Sequence, residues 1–202
     1  MTEPTRIRIR RVCVFTGSRP GVRASYRDAA TGLGKMLAAE KIGVVYGGAS
    51  VGLMGALADA ANSAGGEVIG VIPTWLDKRE IANRELKDLR TVGTMHERKA
   101  LMAELSDAFV AMPGGFGTFD ELFEVMTWSQ IGLHTKPIGL LDIEGFFKPM
   151  VAFVDHMIRE GFVAAEHTSL FVVRPTAEEL LAALRAFVPP VLGVKWTDLK
   201  KA

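Results

Sequence analysis

Apolar residues along the chain fall into short continuous runs, each followed by a turn rich in glycine or proline. A run that is apolar at every position is typical of a strand covered on both faces of a sheet. The predicted strands are residues 12–16, 42–46, 68–72, 108–112, 137–141 and 170–173, with a further short one at 89–92.

Between these runs lie longer stretches in which apolar residues recur every three or four positions, as Leu33, Met36 and Leu37 do. This spacing is typical of helices that cover one face of a sheet. The predicted helices are residues 26–40, 53–64, 94–105, 122–131, 146–160 and 176–187, and 75–90 are predicted as a loop with a short helix.

Alternation of buried strands with helices predicts an α/β fold: a Rossmann-like, doubly wound, mostly parallel sheet with helices on both faces. No linker or repeat divides the chain. We therefore expect residues 1–202 to form a single nucleotide-binding domain, with a core from about 12 to 187. A frayed basic start and a loose tail are expected at the two ends.

Composition limits the kinds of binding partner and the cellular compartment that we expect for this protein. The formal net charge of +1 gives no electrostatic reason to expect nucleic acid or a membrane. The single cysteine, Cys13, lies inside an apolar run, which indicates a small buried hydrophobe in a reducing compartment. No signal-peptide core and no apolar run of about 20 residues is present, so we predict a cytoplasmic protein.

Three predicted strands end in glycine-rich turns, at 17–21, 47–55 and 114–117. In a parallel sheet such turns share the carboxyl edge, where backbone N–H groups at helix starts can hold a phosphate. The third turn belongs to PGGFGTFDE, residues 113–121. Its glycines would allow positive φ and close approach of a ligand, and Thr118 could cap the next helix. We predict a phosphate site there.

The turns match neither of two common nucleotide motifs. GGFGT lacks the lysine of a P-loop, and no turn reads GxGxxG. Tyr46, and no acidic residue, ends the second strand, so a ribose contact of the NAD type is not predicted. With these two kinds of site not predicted, a mononucleotide remains as the predicted ligand.

Glu121 has two interpretations. It completes a capping box with Thr118, as Glu97 does with Thr94 and Glu179 with Thr176. Alternatively, it faces the sugar of a bound nucleotide and stabilises an oxocarbenium-like transition state. Arg98 and Lys99 on the preceding helix could balance its charge, or could be a solvated basic pair.

PGGFGTFDE resembles the PGGxGTxxE signature of the LOG family, the cytokinin riboside 5′-monophosphate phosphoribohydrolases. MHERKALM, which contains Arg98 and Lys99, is similar to the family's M-x-x-R-K element, and GGASVGLMG at 47–55 to its GGGxxGLMG turn. KREI at 78–81 resembles its PREI element. Order and spacing agree from about Val12 to about Phe187.

The resemblance implies a Rossmann-like fold and hydrolysis of AMP or an N6-prenylated AMP to free base and ribose 5-phosphate. It implies a homodimer or larger homo-oligomer, and no metal or organic cofactor. Arg98 and Glu121 become the catalytic pair. The implied substrate-binding residues are Gly17, Ser18, Gly48, Met54, Glu80, Lys99, Gly114, Gly115, Phe116, Gly117, Thr118, Phe119, Asp120 and Thr127.

Two departures from the family pattern stand out: Ala49 replaces a glycine, and Lys78 replaces the proline before Arg79 and Glu80.

Proteins with this signature have also been labelled lysine decarboxylases, but no lysine here has a setting suited to a pyridoxal Schiff base. A second hypothesis is a nucleotide-binding or sensing module that keeps the fold and does no chemistry. An apolar slot for a prenyl group has candidates in Met54, Trp75, Met95 and Trp128, each of which could equally be a core residue.

Overall fold

The computed structural model describes residues 8–77 and 81–190. Glu80, most of the predicted frayed start and nearly all of the predicted tail lie outside these ranges. The described residues contain seven strands in one sheet, with the order β4-β3-β2-β1-β5-β6-β7 and parallel pairing throughout. The strands are β1 (Arg11–Phe15), β2 (Gly43–Tyr46), β3 (Val68–Pro73), β4 (Asp88–Val92), β5 (Ala108–Ala111), β6 (Ile138–Leu141) and β7 (Phe171–Arg174).

Helices follow the strands as predicted, with ends that differ by a few residues. They are α1 (Ala24–Ala39), α2 (Gly52–Ser63), α3 (Thr74–Asp77), α4 (Met95–Glu104), α5 (Phe116–Gln130), α6 (Lys148–Arg159) and α7 (Ala177–Arg185). The predicted capping box of Thr94 and Glu97 is confirmed at the start of α4. Thr176 accepts a hydrogen bond from the Glu179 N–H, which confirms it as the N-cap of α7.

The sheet is buried on both faces because alternate side chains of each strand enter different apolar layers. Val12 and Val14 of β1 pack with α1, α2 and α7. Cys13 and Phe15 pack with α4, α5 and α6. Cys13 is fully buried, as predicted, and burial raises the pKa of its thiol. The predicted fold class is therefore confirmed.

The strand order reverses at β1. The chain runs outward from β1 to β4 on one side and then returns to place β5 on the other side of β1. The turns after these two strands touch: the Gly17 N–H and the Thr16 hydroxyl both donate to the Pro113 carbonyl oxygen, each at 3.1 Å. Ligands of open α/β sheets bind at such a reversal.

Candidate active site

The helix after β5 begins earlier than the sequence predicts. α5 starts at Phe116 with Gly115 as N-cap, and no side chain caps it. The prediction that Thr118 caps this helix is therefore wrong, and so is the capping box of Thr118 and Glu121. Thr118 is the third helical residue and is buried, so its side chain packs inward and does not accept from the first turn.

The three glycines of this segment serve different purposes. None has a positive φ, so that part of the prediction is wrong. A Cβ on Gly114 would lie 2.1 Å from the Thr118 hydroxyl oxygen, so packing within the protein demands glycine there. A Cβ on Gly115 or Gly117 would meet no atom within 4 Å. No packing contact accounts for these two glycines, and the space beside them is open to a ligand.

A cleft of about 540 Å³ lies where the turns after β1 and β5 meet. The first turn of α5 borders it, and the N–H groups of Phe116, Gly117 and Thr118 have no acceptor within their own helix. The positive end of the helix dipole adds to these donors. The arrangement suits an anion such as phosphate. The cleft is lined by Gly17, Ser18, Arg19, Gly21, Tyr26, Leu53, Pro113, Gly114, Gly115, Phe116 and Phe146.

Arg98 and Glu121 form a buried ion pair between α4 and α5. Arg98 Nη1 lies 2.8 Å from Glu121 Oε1, and the two side chains are only 8% and 9% exposed. Arg98 Nε also donates to the Val71 carbonyl oxygen at 3.0 Å. The interpretation of Arg98 as part of a solvated pair is therefore wrong. Glu121 shares the inward face of α5 with Leu122 and Val125, which explains its burial.

Burial and the neighbouring arginine act on Glu121 in opposite directions. Burial raises the pKa of the Glu121 carboxyl, while Arg98 lowers it through charge and through the hydrogen bond. The net direction is upward. A carboxylate with a raised pKa that is still paired with a cation is a common feature of sites that handle protons or developing positive charge.

Gly47, at the end of β2, completes the surroundings of Arg98. A Cβ at this position would lie 2.0 Å from Arg98 Nη2 and 3.1 Å from Met54 Sδ. The guanidinium therefore lies against bare backbone. Met54 joins this region to the cleft, because Leu53 and Met54 both donate their N–H groups to the Gly17 carbonyl oxygen.

Lys99, the next residue of α4, also pairs with α5. Its Nζ lies 3.1 Å from Asp120 Oδ2 and 3.0 Å from Glu124 Oε1 on α5. Burial lowers the pKa of Lys99, but the two carboxylates outweigh this effect and the net pKa is raised. Lys99 is thus neither a free surface charge nor a neutral amine.

The structure does not bring all the predicted binding residues to the cleft. Thr127 lies nearly two turns beyond Glu121 on α5, about 9 Å along the helix axis, and borders a groove between α5 and α6. Phe119 packs on Phe146 and Phe147, in an aromatic cluster. The cleft includes Gly17, Ser18, Gly114, Gly115 and Phe116. The Gly48 carbonyl accepts from the Asn83 N–H, outside the cleft.

Sequence reasoning missed several residues of the site. Tyr26 and Phe146 line the cleft, and their rings meet edge to face at 6.0 Å. In the sequence Gly47 is one residue of a glycine-rich turn with nothing to distinguish it, and the Val71 carbonyl carries no side-chain signal at all. The adjacent glycines at 47 and 48 could have indicated close approach of another group.

Within residues 8–77 and 81–190, no group of three or more His, Cys, Asp or Glu side chains is arranged to hold a metal ion. No helix in these ranges has the length and apolar character that crossing a membrane requires.

Solved structures share this fold. A molybdenum cofactor binding protein from Rippkaea orientalis superimposes with a TM-score of 0.68 at 19% identity, covering 89% of this chain and 98% of that one. The molybdenum cofactor carrier protein of Chlamydomonas reinhardtii gives a TM-score of 0.67 at 23% identity, with the same coverage. At these identities the comparison concerns the fold alone.

Curated relatives are much more similar in sequence. A family model described as "Possible lysine decarboxylase" matches residues 54–184. The cytokinin riboside 5′-monophosphate phosphoribohydrolase LOG of Oryza sativa is 48% identical, over 96% of this chain and 80% of its own. LOG2 of Arabidopsis thaliana, which has the same activity in its name, is 48% identical over 93% and 88%. A probable rice enzyme, LOGL9, is 53% identical over 90% and 80%. The chain therefore belongs to the LOG family of cytokinin riboside 5′-monophosphate phosphoribohydrolases.

Proposed function

We propose that this protein hydrolyses the N-glycosidic bond of a nucleoside 5′-monophosphate, either AMP or an N6-prenylated AMP, to free base and ribose 5-phosphate. The observation that carries the proposal is the buried Arg98–Glu121 pair, with Glu121 one helical turn beyond Thr118 on α5. The names of relatives about half identical to the chain support the same reaction.

In this proposal the first turn of α5 holds the 5′-phosphate. Its free N–H groups and the open space at Gly115 and Gly117 provide donors and room. Glu121 lies one helical turn beyond Thr118 on the same helix. The proposal places the anomeric carbon of the anchored nucleotide next to this carboxylate.

The reaction exchanges one bond for another at the anomeric carbon. The bond from C1′ to the base nitrogen breaks, and its electron pair leaves with the base, which takes up a proton. A water oxygen bonds to C1′ and loses a proton. The Glu121 carboxylate stabilises the positive charge that develops on the sugar and orients the water. Arg98 favours the ionised form of Glu121, because its charge and its hydrogen bond oppose the rise in pKa that burial causes.

Lysine decarboxylation is a poorer fit to these residues. A Schiff-base lysine reacts as the neutral amine and therefore needs a lowered pKa. Lys99, which follows Arg98 on α4, instead has a raised pKa because Glu124 and Asp120 pair with it. A pyridoxal enzyme would gain nothing from this arrangement.

A non-catalytic nucleotide-binding module accounts less well for the ion pair. Such a module needs the phosphate cradle, whereas a buried salt bridge seldom adds stability over a well-packed apolar pair. The Arg98–Glu121 pair, 8% and 9% exposed, is explained by chemistry at the sugar. The single-domain organisation and the cytoplasmic location remain predictions from the sequence.

Glu121→Gln should abolish turnover and preserve the fold. Glutamine keeps an oxygen that can accept from Arg98 Nη1, but it cannot carry the negative charge that faces the developing oxocarbenium ion. We expect kcat for AMP or isopentenyl-AMP to fall at least about 100-fold, measured by chromatography of the released base. Glu97→Gln is the matched control, because glutamine also serves in a capping box. Unchanged turnover in the Glu121 variant would remove this residue from the mechanism.

The pH dependence of kcat/KM should report the raised pKa of Glu121. The ionised form is needed, and its fraction falls as the pH drops through the pKa of the buried carboxyl. The acid limb should therefore lie above about 4.3, the ordinary value for glutamate. Initial rates at subsaturating AMP across the acid range would locate it. An acid limb at the ordinary value, or below it, would contradict the assignment.

Gly115→Ala should weaken binding of the phosphate with little loss of stability. The new methyl group meets no protein atom, so it projects into the space assigned to the ligand. We expect KM for AMP to rise at least about tenfold, while loss of the glycine N-cap costs no more than about 1 kcal/mol. Gly32→Ala in α1, where a methyl also meets open space, is the control. Equal KM values in the two variants would argue against the cradle.

We further infer a homodimer. Apolar side chains border the groove of about 370 Å³ between α5 and α6, among them Phe123, Phe153, Met157 and Val163. Phe153 is 54% exposed, and Phe162, next to Val163, is 81% exposed. Exposed apolar clusters of this kind are typical of subunit interfaces, and a second copy of the chain is the occupant implied by the family resemblance.

Phe153→Glu should convert the dimer to a monomer, because it places a charge in the contact. The molar mass from light scattering coupled to gel filtration would show the change. Val22→Glu, at a residue 99% exposed and outside the groove, is the control and should leave the mass unchanged. A monomeric mass for the unmodified protein at working concentration would refute the inference.

A further inference from the structure

The turn after β2 is held by a short segment that precedes β4. The Asn83 N–H donates to the Gly48 carbonyl oxygen at 2.8 Å, and the Ser50 N–H donates to the Ile81 carbonyl oxygen at 2.8 Å. Ala49 and Ala82 form an antiparallel bridge between these bonds. Residues 48–50 of the turn are thus paired with the 81–83 segment.

The side chain of Asn83 anchors that segment to α2. Asn83 is only 3% exposed, and its Nδ2 donates to Asp59 Oδ1 at 2.9 Å. Its own Oδ1 accepts from the Glu85 N–H at 3.2 Å. Both ends of the amide are therefore used. The buried Tyr46 hydroxyl, which has no hydrogen-bond partner within the described part of the chain, lies close enough for Asn83 to oppose the rise in its pKa caused by burial.

Arg98 lies against this anchored turn. Gly47 and Gly48 follow Tyr46 directly, and the place of a Gly47 Cβ is within 2.0 Å of Arg98 Nη2. On its other sides Arg98 is held by the Val71 carbonyl and by Glu121. Gly48 has a φ of +75°, and its backbone packs closely on Ile72: a Cβ on Gly48 would lie 3.0 Å from the Ile72 Cβ. This close packing limits how far the turn can move. A shift of this turn must therefore move the guanidinium or open a gap beside it.

We propose that Asn83 is a positioning residue for the phosphoribohydrolase reaction: through Asp59 and Gly48 it fixes the Gly47–Gly48 turn against Arg98. It touches neither the ion pair nor the cleft. Its effect reaches Glu121 through the placement of the arginine. The inference rests on the proposed function and assigns to this chain a polar contact between α2 and the segment before β4.

The test compares four variants on AMP. Asn83→Ala and Asp59→Ala each remove the anchor and should lower kcat by about tenfold, since small misplacements of a catalytic group are costly. KM should stay within about twofold, because the phosphate cradle is elsewhere. The double variant should lose no more than either single one. Asp59→Asn keeps an amide oxygen that can accept from Asn83 and should retain kcat.

A purely structural role would give a different pattern. Thr176→Ala removes the N-cap of α7, which packs against β6 and β7, and should cost about 1 kcal/mol of stability with kcat unchanged. If Asn83→Ala lowers the melting temperature as this control does but leaves kcat within about twofold, the inference is overturned. The same holds if the Asp59 and Asn83 effects on kcat multiply. Wild-type protein that releases no base from AMP or from isopentenyl-AMP would overturn the proposed function and this inference together; if it cleaves only the prenylated nucleotide, the variants are compared on that substrate.

Discussion

The ion pair of Arg98 and Glu121 constrains the residues around it. Each charge is removed from water and depends on its partner, because loss of one partner of a buried pair typically costs about 3–5 kcal/mol. The arginine needs a further acceptor, which the Val71 carbonyl provides. It also needs space, which only glycine at 47 leaves. One side-chain contact thus sets requirements on β3, on the turn after β2 and on two helices.

The topology makes this contact possible. Placing β5 beside β1 brings the turns after both strands together at the point where strand order reverses. α4 and α5, the helices that flank β5 in sequence, pack in the same layer on one face of the sheet. A side chain early in α4 and another in the second turn of α5 therefore meet near the carboxyl edge of the sheet, the edge that also carries the cleft.

Much of the fold was predictable because fully buried parallel strands leave a plain signal: β2, β3, β5 and β6 carry no charged residue. The start of α5 was not, since glycines suit both a loop and the first helical turn when nothing collides with them. Glu121 satisfied the spacing of a capping box, which favoured the wrong interpretation. Its position three and four residues from Thr118 and Val125, on the inward stripe of the helix, was the signal that distinguishes the two cases.

Long-range contacts explain what remained beyond reach of the sequence. Gly47 and Arg98 are far apart along the chain, and the sequence gives no indication that they are in contact. Glycine itself is ambiguous: Gly47 lacks a side chain because a protein cation fills the space, whereas Gly115 borders space that no protein atom fills. Only the three-dimensional surroundings of each glycine separate these cases. A glycine explained by its neighbours belongs to the scaffold of the site. Open space alone does not mark a ligand site, because Gly32 in α1 also meets none of the surrounding atoms; Gly115 differs from it in lining the cleft.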